Sequence, residues 1–269
     1  MVRINATACV LGAAVLAALG AAAGAQAKAS DAINGVWVVR PEYYVGAKLS
    51  PQPELTPAAL AQQQRRAAAS AKGYVRSVGN MLCEGGGGPS LFMVRSPFEV
   101  FSGFGRVTFI FETETFNQPR TVYLNEKTQP DSVFPSNNGH SIGHWDGEAL
   151  VVDTVGFNTR GALLGGVPRS DQAHIVERFS LSADGKTLSD TVTMQDPKVL
   201  AKPWTTTLMF DRMADTEERF EVSCDVDLDA FKTLDLASLK DADPEVARLL
   251  DPDQRGTDPA LKIAQPDKK

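Results

Sequence analysis

The sequence predicts a mainly β domain made of antiparallel hairpins closed into a barrel or stacked as a sandwich. Two observations predict it. Between Phe92 and Cys224, short runs rich in Val, Ile, Phe, Thr and Tyr recur with turn residues between them. Two of those turns are Asp146-Gly147 and Asp184-Gly185, and Asp-Gly between alternating apolar runs is a strong hairpin signal.

The elements follow in order. Asn34 to Arg40 reads as a first strand with Trp37 near its start. Residues 41–57 carry Pro41, Pro51, Pro53 and Pro57 and therefore form a loop. Thr56-Pro57 then caps a helical insertion over 56–72, whose apolar face is mostly alanine and so packs shallowly. Cys83-Glu84 and the glycines 85–88 make a second loop. No Lys-Ser/Thr follows those glycines and no helix opens after them, so they do not read as a phosphate cradle. Glu99 to Ser102, Val107 to Glu112 and Arg120 to Leu124 are strand-like. Ser141 to Trp145 pairs with Ala149 to Phe157, and Ala173 to Leu181 pairs with Thr187 to Met194. Thr205 to Arg212 and Arg219 to Cys224 complete the run. Residues 229–269 are acidic, with four prolines between Pro244 and Pro266, and read as short helical turns in a partly disordered tail.

The first residues set the compartment. Arg3 precedes an apolar run from Ala6 to Ala23, and Ala25-Gln26-Ala27 supplies a small-x-small cleavage site. Residues 1–27 thus read as a signal peptide cut after Ala27, leaving a β domain over 28–228. No twin Arg is present, which favours the Sec route and a periplasmic or secreted product. Cys9 sits inside the apolar run, in the wrong context for a lipoprotein cysteine. No later run reaches the ~18 apolar residues of a membrane span. Cys83 and Cys224 remain, and two cysteines in an oxidising compartment usually pair. A bridge between them closes a loop of about 140 residues and stabilises by about 4–5 kcal/mol in the chain-entropy model. The chain has 27 Lys+Arg against 33 Asp+Glu, a net charge of −6, without a basic stripe. Nucleic acid and anionic lipid surfaces are therefore poor partners.

Candidate chemistry gathers around Gly139-His140-Ser141-Ile142-Gly143-His144-Trp145-Asp146-Gly147. The G-x-S-x-G within it needs a helix after the serine to make a nucleophile elbow, and a turn and strand follow instead. On a strand His140 and His144 share a face but stand about 13 Å apart, too far for one ion. One of them with His174, Asp153 or Glu177 is the remaining route to a His/carboxylate site, but nothing in the spacing closes a three-ligand set, and no metal is expected. General acid–base chemistry fits better. Asp153 stands in the apolar run Leu150 to Val155, and His174 and Glu177 lie on the next strand-like run. If those groups line a cavity, desolvation makes them usable for proton transfer; on a solvent face they are structural. His140, Asp153, His174 and Glu177 are the candidate catalytic residues, and Tyr123, Arg178, Trp145 and Phe157 the candidate substrate contacts. For Trp145 a packing role at a hairpin rim stands beside that one.

Gly35-Val36-Trp37 resembles the G-x-W start of lipocalin-like barrels, where the tryptophan plugs one end. The combination of Gly139 to Gly147, Leu150 to Asn158, Glu177-Arg178-Phe179, Asp196-Pro197 and Lys202-Pro203-Trp204 resembles a large family of secreted, mostly uncharacterised bacterial proteins. The resemblance covers about residues 30–225. It implies a signal peptide and an antiparallel lipocalin-like barrel, and it carries no activity. Small barrels of this type enclose apolar cavities for a compact hydrophobic or aromatic molecule. Two functions are then expected: a cofactor-independent lyase or isomerase, with a slight preference, or a periplasmic binding or carrier protein. No NAD, flavin or haem fingerprint is present, so no cofactor is expected.

Overall fold

The computed structural model describes residues 29–71, 87–113, 119–159 and 162–214. The leader, Cys83, Cys224, the strand expected at 219–224 and the acidic tail lie outside the described residues. Among the described residues nine strands are present: β1 Gly35–Val39, β2 Phe98–Gly103, β3 Arg106–Phe111, β4 Arg120–Tyr123, β5 His140–Asp146, β6 Ala149–Val155, β7 His174–Leu181, β8 Thr187–Gln195 and β9 Trp204–Arg212. They close into one barrel in sequence order, with β9 returning to pair with β1. The β-rich barrel expected from the hairpin spacing is therefore the fold. Both Asp-Gly turns join adjacent antiparallel strands, β5 to β6 and β7 to β8.

One pairing departs from the antiparallel expectation. β4 and β5 run parallel, registered through Val122 with Ser141 and Tyr123 with Ile142. A parallel pair needs a crossover, because its second strand must start at the end where the first one started. Residues 124–139 supply it along the outer wall. Gln129 is bonded to Asp153 on β6, and Ser136 bridges to Phe157 beyond the end of that strand. This length of chain lacks the alternation of a strand, so the hairpin pattern gave no sign of the reversal.

Alternation along each strand decides what fills the interior. Val107, Phe109 and Phe111 point in from β3, Ile175, Glu177 and Phe179 from β7, and Leu188, Asp190, Val192 and Met194 from β8; all are buried. A nine-stranded barrel is wider than its strand side chains readily fill. Phe92, on a 3-10 turn spanning Gly88–Met93, inserts into it. Its ring centroid lies 4.9–5.7 Å from those of Phe98, Phe109, Phe111, Phe179 and Phe210. Such offset and edge-on pairs are the favoured geometry for aromatic rings.

Trp37 is fully buried and donates from Nε1 to the Ile33 carbonyl at 3.1 Å. The Arg212 guanidinium covers its ring at 4.2 Å and donates to the carbonyls of Ala32, Asn34 and Gly185. The G-x-W tryptophan is thereby sealed beneath a cation. The helix expected after Thr56 spans Pro57–Ala71, and the Thr56 hydroxyl accepts from the Ala59 N–H at 3.3 Å. Ala59 is buried while Leu60 is half exposed, the shallow packing that an alanine-rich face implies.

Candidate functional site

Five polar side chains meet inside the apolar barrel: Arg120, Ser141, Thr154, Glu177 and Asp190. Each occupies an inward position of its strand, and none is more than 2% exposed. Arg120 forks onto Glu177. Its Nη1 donates to Oε1 at 2.8 Å, and its Nη2 donates to Oε2. Nη2 also donates to the Thr154 hydroxyl at 3.0 Å, which lies 2.8 Å from the Ser141 hydroxyl. Burial works to lower the Arg120 pKa, but the facing charge of Glu177 and its hydrogen bonds outweigh it and hold the guanidinium charged. Ser141 is thus a partner of an arginine inside the wall, with no histidine on its side of the sheet.

Asp190 is the exception in this group. It is fully buried, yet neither carboxyl oxygen has a hydrogen-bond partner of acceptable geometry. Burial first, and the neighbouring charge of Glu177 second, push its pKa well above the ordinary carboxyl value, against the opposing pull of Arg120. Glu177 also sits close enough to favour retention of the Asp190 proton. An unmade hydrogen bond on a buried group costs about 1–3 kcal/mol.

The two glycines of G-x-S-x-G have structural reasons. Gly139 has φ +66°, and a Cβ there would meet the Val155 carbonyl oxygen at 2.6 Å. At Gly143 a Cβ would meet Val122 Cγ1 at 2.6 Å, across the parallel seam.

A second cluster lies on the outer wall of the same strands. Gln129 donates to Asp153 Oδ1 at 2.7 Å and accepts from His140 Nδ1 at 3.0 Å. His174 Nε2 donates to Asp153 Oδ2 at 2.7 Å. Tyr123 stacks on His140 with ring centroids 5.2 Å apart. His140, Asp153 and His174 are therefore brought together as their strand positions suggested, but outside the barrel. They alternate with Ser141, Thr154 and Ile175, which face in, so of the two placements the sequence left open, cavity wall or solvent face, these three residues take the outer one. Among the described residues no group of three His, Cys, Asp or Glu side chains is placed to hold a metal ion.

The hydrogen bond with His174 lowers the Asp153 pKa despite partial burial, and the same bond raises that of His174. Asp153 contributes stability that is present above its ordinary 3.8 and lost as pH falls through the lowered folded value. The His174 contribution is full below its ordinary 6.5 and is lost as pH rises through the raised folded value. Both side chains are over a third exposed, so solvent screening limits the pair to about 1 kcal/mol or less. His174→Ala is expected to lower the urea-unfolding free energy by that amount between those two values and by almost nothing at strongly alkaline pH. An equal loss at both would show that packing, not the ion pair, is what the imidazole supplies.

The other expected contacts do not converge. Glu177 faces the interior, next in sequence to the outward Arg178, which pairs with Asp146 at the surface at 2.8 Å. Trp145 is partly buried and packs on the core. Phe157 is buried beyond β6, with the Arg169 guanidinium 5.4 Å from its ring centroid. Tyr123 belongs to the outer cluster. Arg120 and Asp190 escaped the sequence reading, although alternation held a signal for both. Asp190 shares the parity of Leu188, Val192 and Met194, and Arg120 that of Val122.

No family model matches the chain, and no curated protein matches it. One solved structure that does match is a crystal structure of a mutant of the fluorescent protein UnaG, at 11% identity and a TM-score of 0.31. The alignment covers 68% of this chain and 98% of that one. So distant a likeness adds no weight to the barrel, which stands on its own strand pairing.

Proposed function

We propose that the protein is a small-molecule binding barrel, exported through a leader ending at Ala27, which holds an apolar ligand against the phenylalanine cluster and the polar group beside it. The observation that carries this reading is Asp190, an unpartnered buried carboxyl in a barrel interior where Val, Leu or Phe would serve a purely structural core better. Phe92 supports it. It alone of the six clustered phenylalanines is carried by a turn rather than a strand, so its ring can be replaced by a ligand without breaking the sheet. The binding reading is preferred to the lyase or isomerase reading because His140, Asp153 and His174 face away from that interior.

The test is titration with N-phenyl-1-naphthylamine, whose fluorescence rises in an apolar site. Saturable binding of one probe per chain is expected, tighter by about tenfold in Phe92→Ala, since about 1.4 kcal/mol of avoided displacement is a factor of ten. Absence of saturable binding to both proteins would sink the proposal.

A further inference from the structure

Resting on the barrel-binding reading, we propose that the ligand is an amphiphilic organic cation, its ammonium group held by Asp190 and its apolar tail lying on the phenylalanine rings. Once Asp190 is ionised, the inner polar group is one positive charge short. Arg120 is committed to Glu177 through two hydrogen bonds and to Thr154 through a third. Asp190 brings a second carboxyl into the same interior with neither oxygen bonded. While it holds its proton, the Asp190 carboxyl is favoured by the Glu177 carboxylate beside it. Once ionised it only accepts hydrogen bonds, so a partner that stabilises the ionised form must be a donor. Its cross-strand neighbours, Phe179 on β7 and Leu208 on β9, offer no side-chain donor.

The surroundings favour a charged donor over a neutral one. Phe179 stands beside Asp190, and its ring centroid lies 5.1 Å from that of Phe109 and 5.7 Å from that of Phe92. Aromatic faces attract cations most strongly where water is excluded. The same ring set already faces one, since the Arg120 guanidinium carbon is 5.9 Å from the Phe109 centroid. An ammonium supplies three donors and the missing charge, and it leaves both carboxyls paired with a cation.

The exchange balances. The charged groups facing Asp190 are Glu177 and Arg120, which neutralise each other, and the neighbouring β9 presents none. Without ligand, burial and the neighbouring charge of Glu177 favour the protonated form of Asp190. When the protonated amine enters, that carboxyl proton is released to solvent and the carboxylate pairs with the ammonium. No covalent bond other than the carboxyl O–H is broken.

Calorimetric titration of the full chain with n-octylamine and with 1-octanol tests this. Octylamine, protonated throughout the neutral range, is expected to bind at least about tenfold tighter than octanol, as a charge-assisted pair added to the same tail contact implies. Titrations in buffers of differing ionisation enthalpy should show release of about one proton per amine and none for octanol. The amine affinity should rise about tenfold per pH unit while Asp190 is still protonated in the free protein. Asp190→Asn, with folding checked by circular dichroism, should abolish both the amine preference and the proton release. Equal binding of amine and alcohol without proton release overturns the cation and leaves the barrel reading standing. Binding of neither overturns both. Should Asp190→Asn fail to fold, proton release by the unaltered protein decides alone.

Discussion

Arg120→Met is expected to lower the unfolding free energy by about 3–5 kcal/mol, the usual consequence of removing one partner from a buried ion pair. The substitution deletes the fork onto Glu177 and the bond to Thr154. It leaves Glu177 at 0% exposure without its counter-charge, beside Asp190. The loss of packing is small, because Met is flexible and of comparable length. Most of the effect is therefore the stranded carboxylate, and a double substitution separates the two contributions. Arg120→Met with Glu177→Leu should recover most of the stability, since a buried pair exchanged for apolar groups is often neutral. Chemical unfolding of four proteins, the unaltered chain, each single variant and the double variant, gives the cycle. If the double variant is as unstable as the single one, the pair is not the origin of the loss.

Phe92→Ala carries the second large effect. Its ring touches five other phenylalanines, and truncating a buried Phe to Ala typically costs about 3–5 kcal/mol. Two measurements on this one variant should move in opposite directions: the thermal midpoint falls while affinity for the apolar probe rises. Saturating probe should then restore part of the lost stability, by RT ln(1 + [L]/Kd). Lower stability together with weaker probe binding would mean that Phe92 forms part of the binding surface rather than occupying it.

Much of this architecture was legible in the residues. Asp146-Gly147 and Asp184-Gly185 marked two hairpins because that turn needs a left-handed glycine, and Gly147 and Gly185 have φ +62° and +71°. The parallel β4–β5 seam was not legible, because it depends on where residues 124–139 travel and not on their local preferences. The outer cluster was half legible. Strand pairing brought Asp153 towards His140 and His174, but Gln129, which joins Asp153 to His140, comes from the crossover. The face of the sheet on which Asp153 stands was left open for a physical reason. A carboxylate among Leu150, Val151, Val152 and Val155 looks internal until the crossover is seen to cover the outer side of that strand. Conversely, alternation alone places Asp190 inside, with Leu188, Val192 and Met194. It reads as a surface residue only when Ser189, Thr191 and Thr193 are weighed with it.

The parallel seam also bears on how the chain reaches its fold. From β5 to β9, residues 140–212, each strand pairs with the next in sequence, so this stretch is a meander of local contacts that forms early and with little loss of chain entropy. In the sheet itself, β1 and β4 are tied to it by the closure of β1 on β9 and by the short register Val122/Ser141 and Tyr123/Ile142. Both junctions require distant segments to meet, so the barrel becomes a closed ring late. Arg120 and Glu177 stand on opposite sides of the β4–β5 seam, and their pairing fastens the two runs of sequence-adjacent strands to each other.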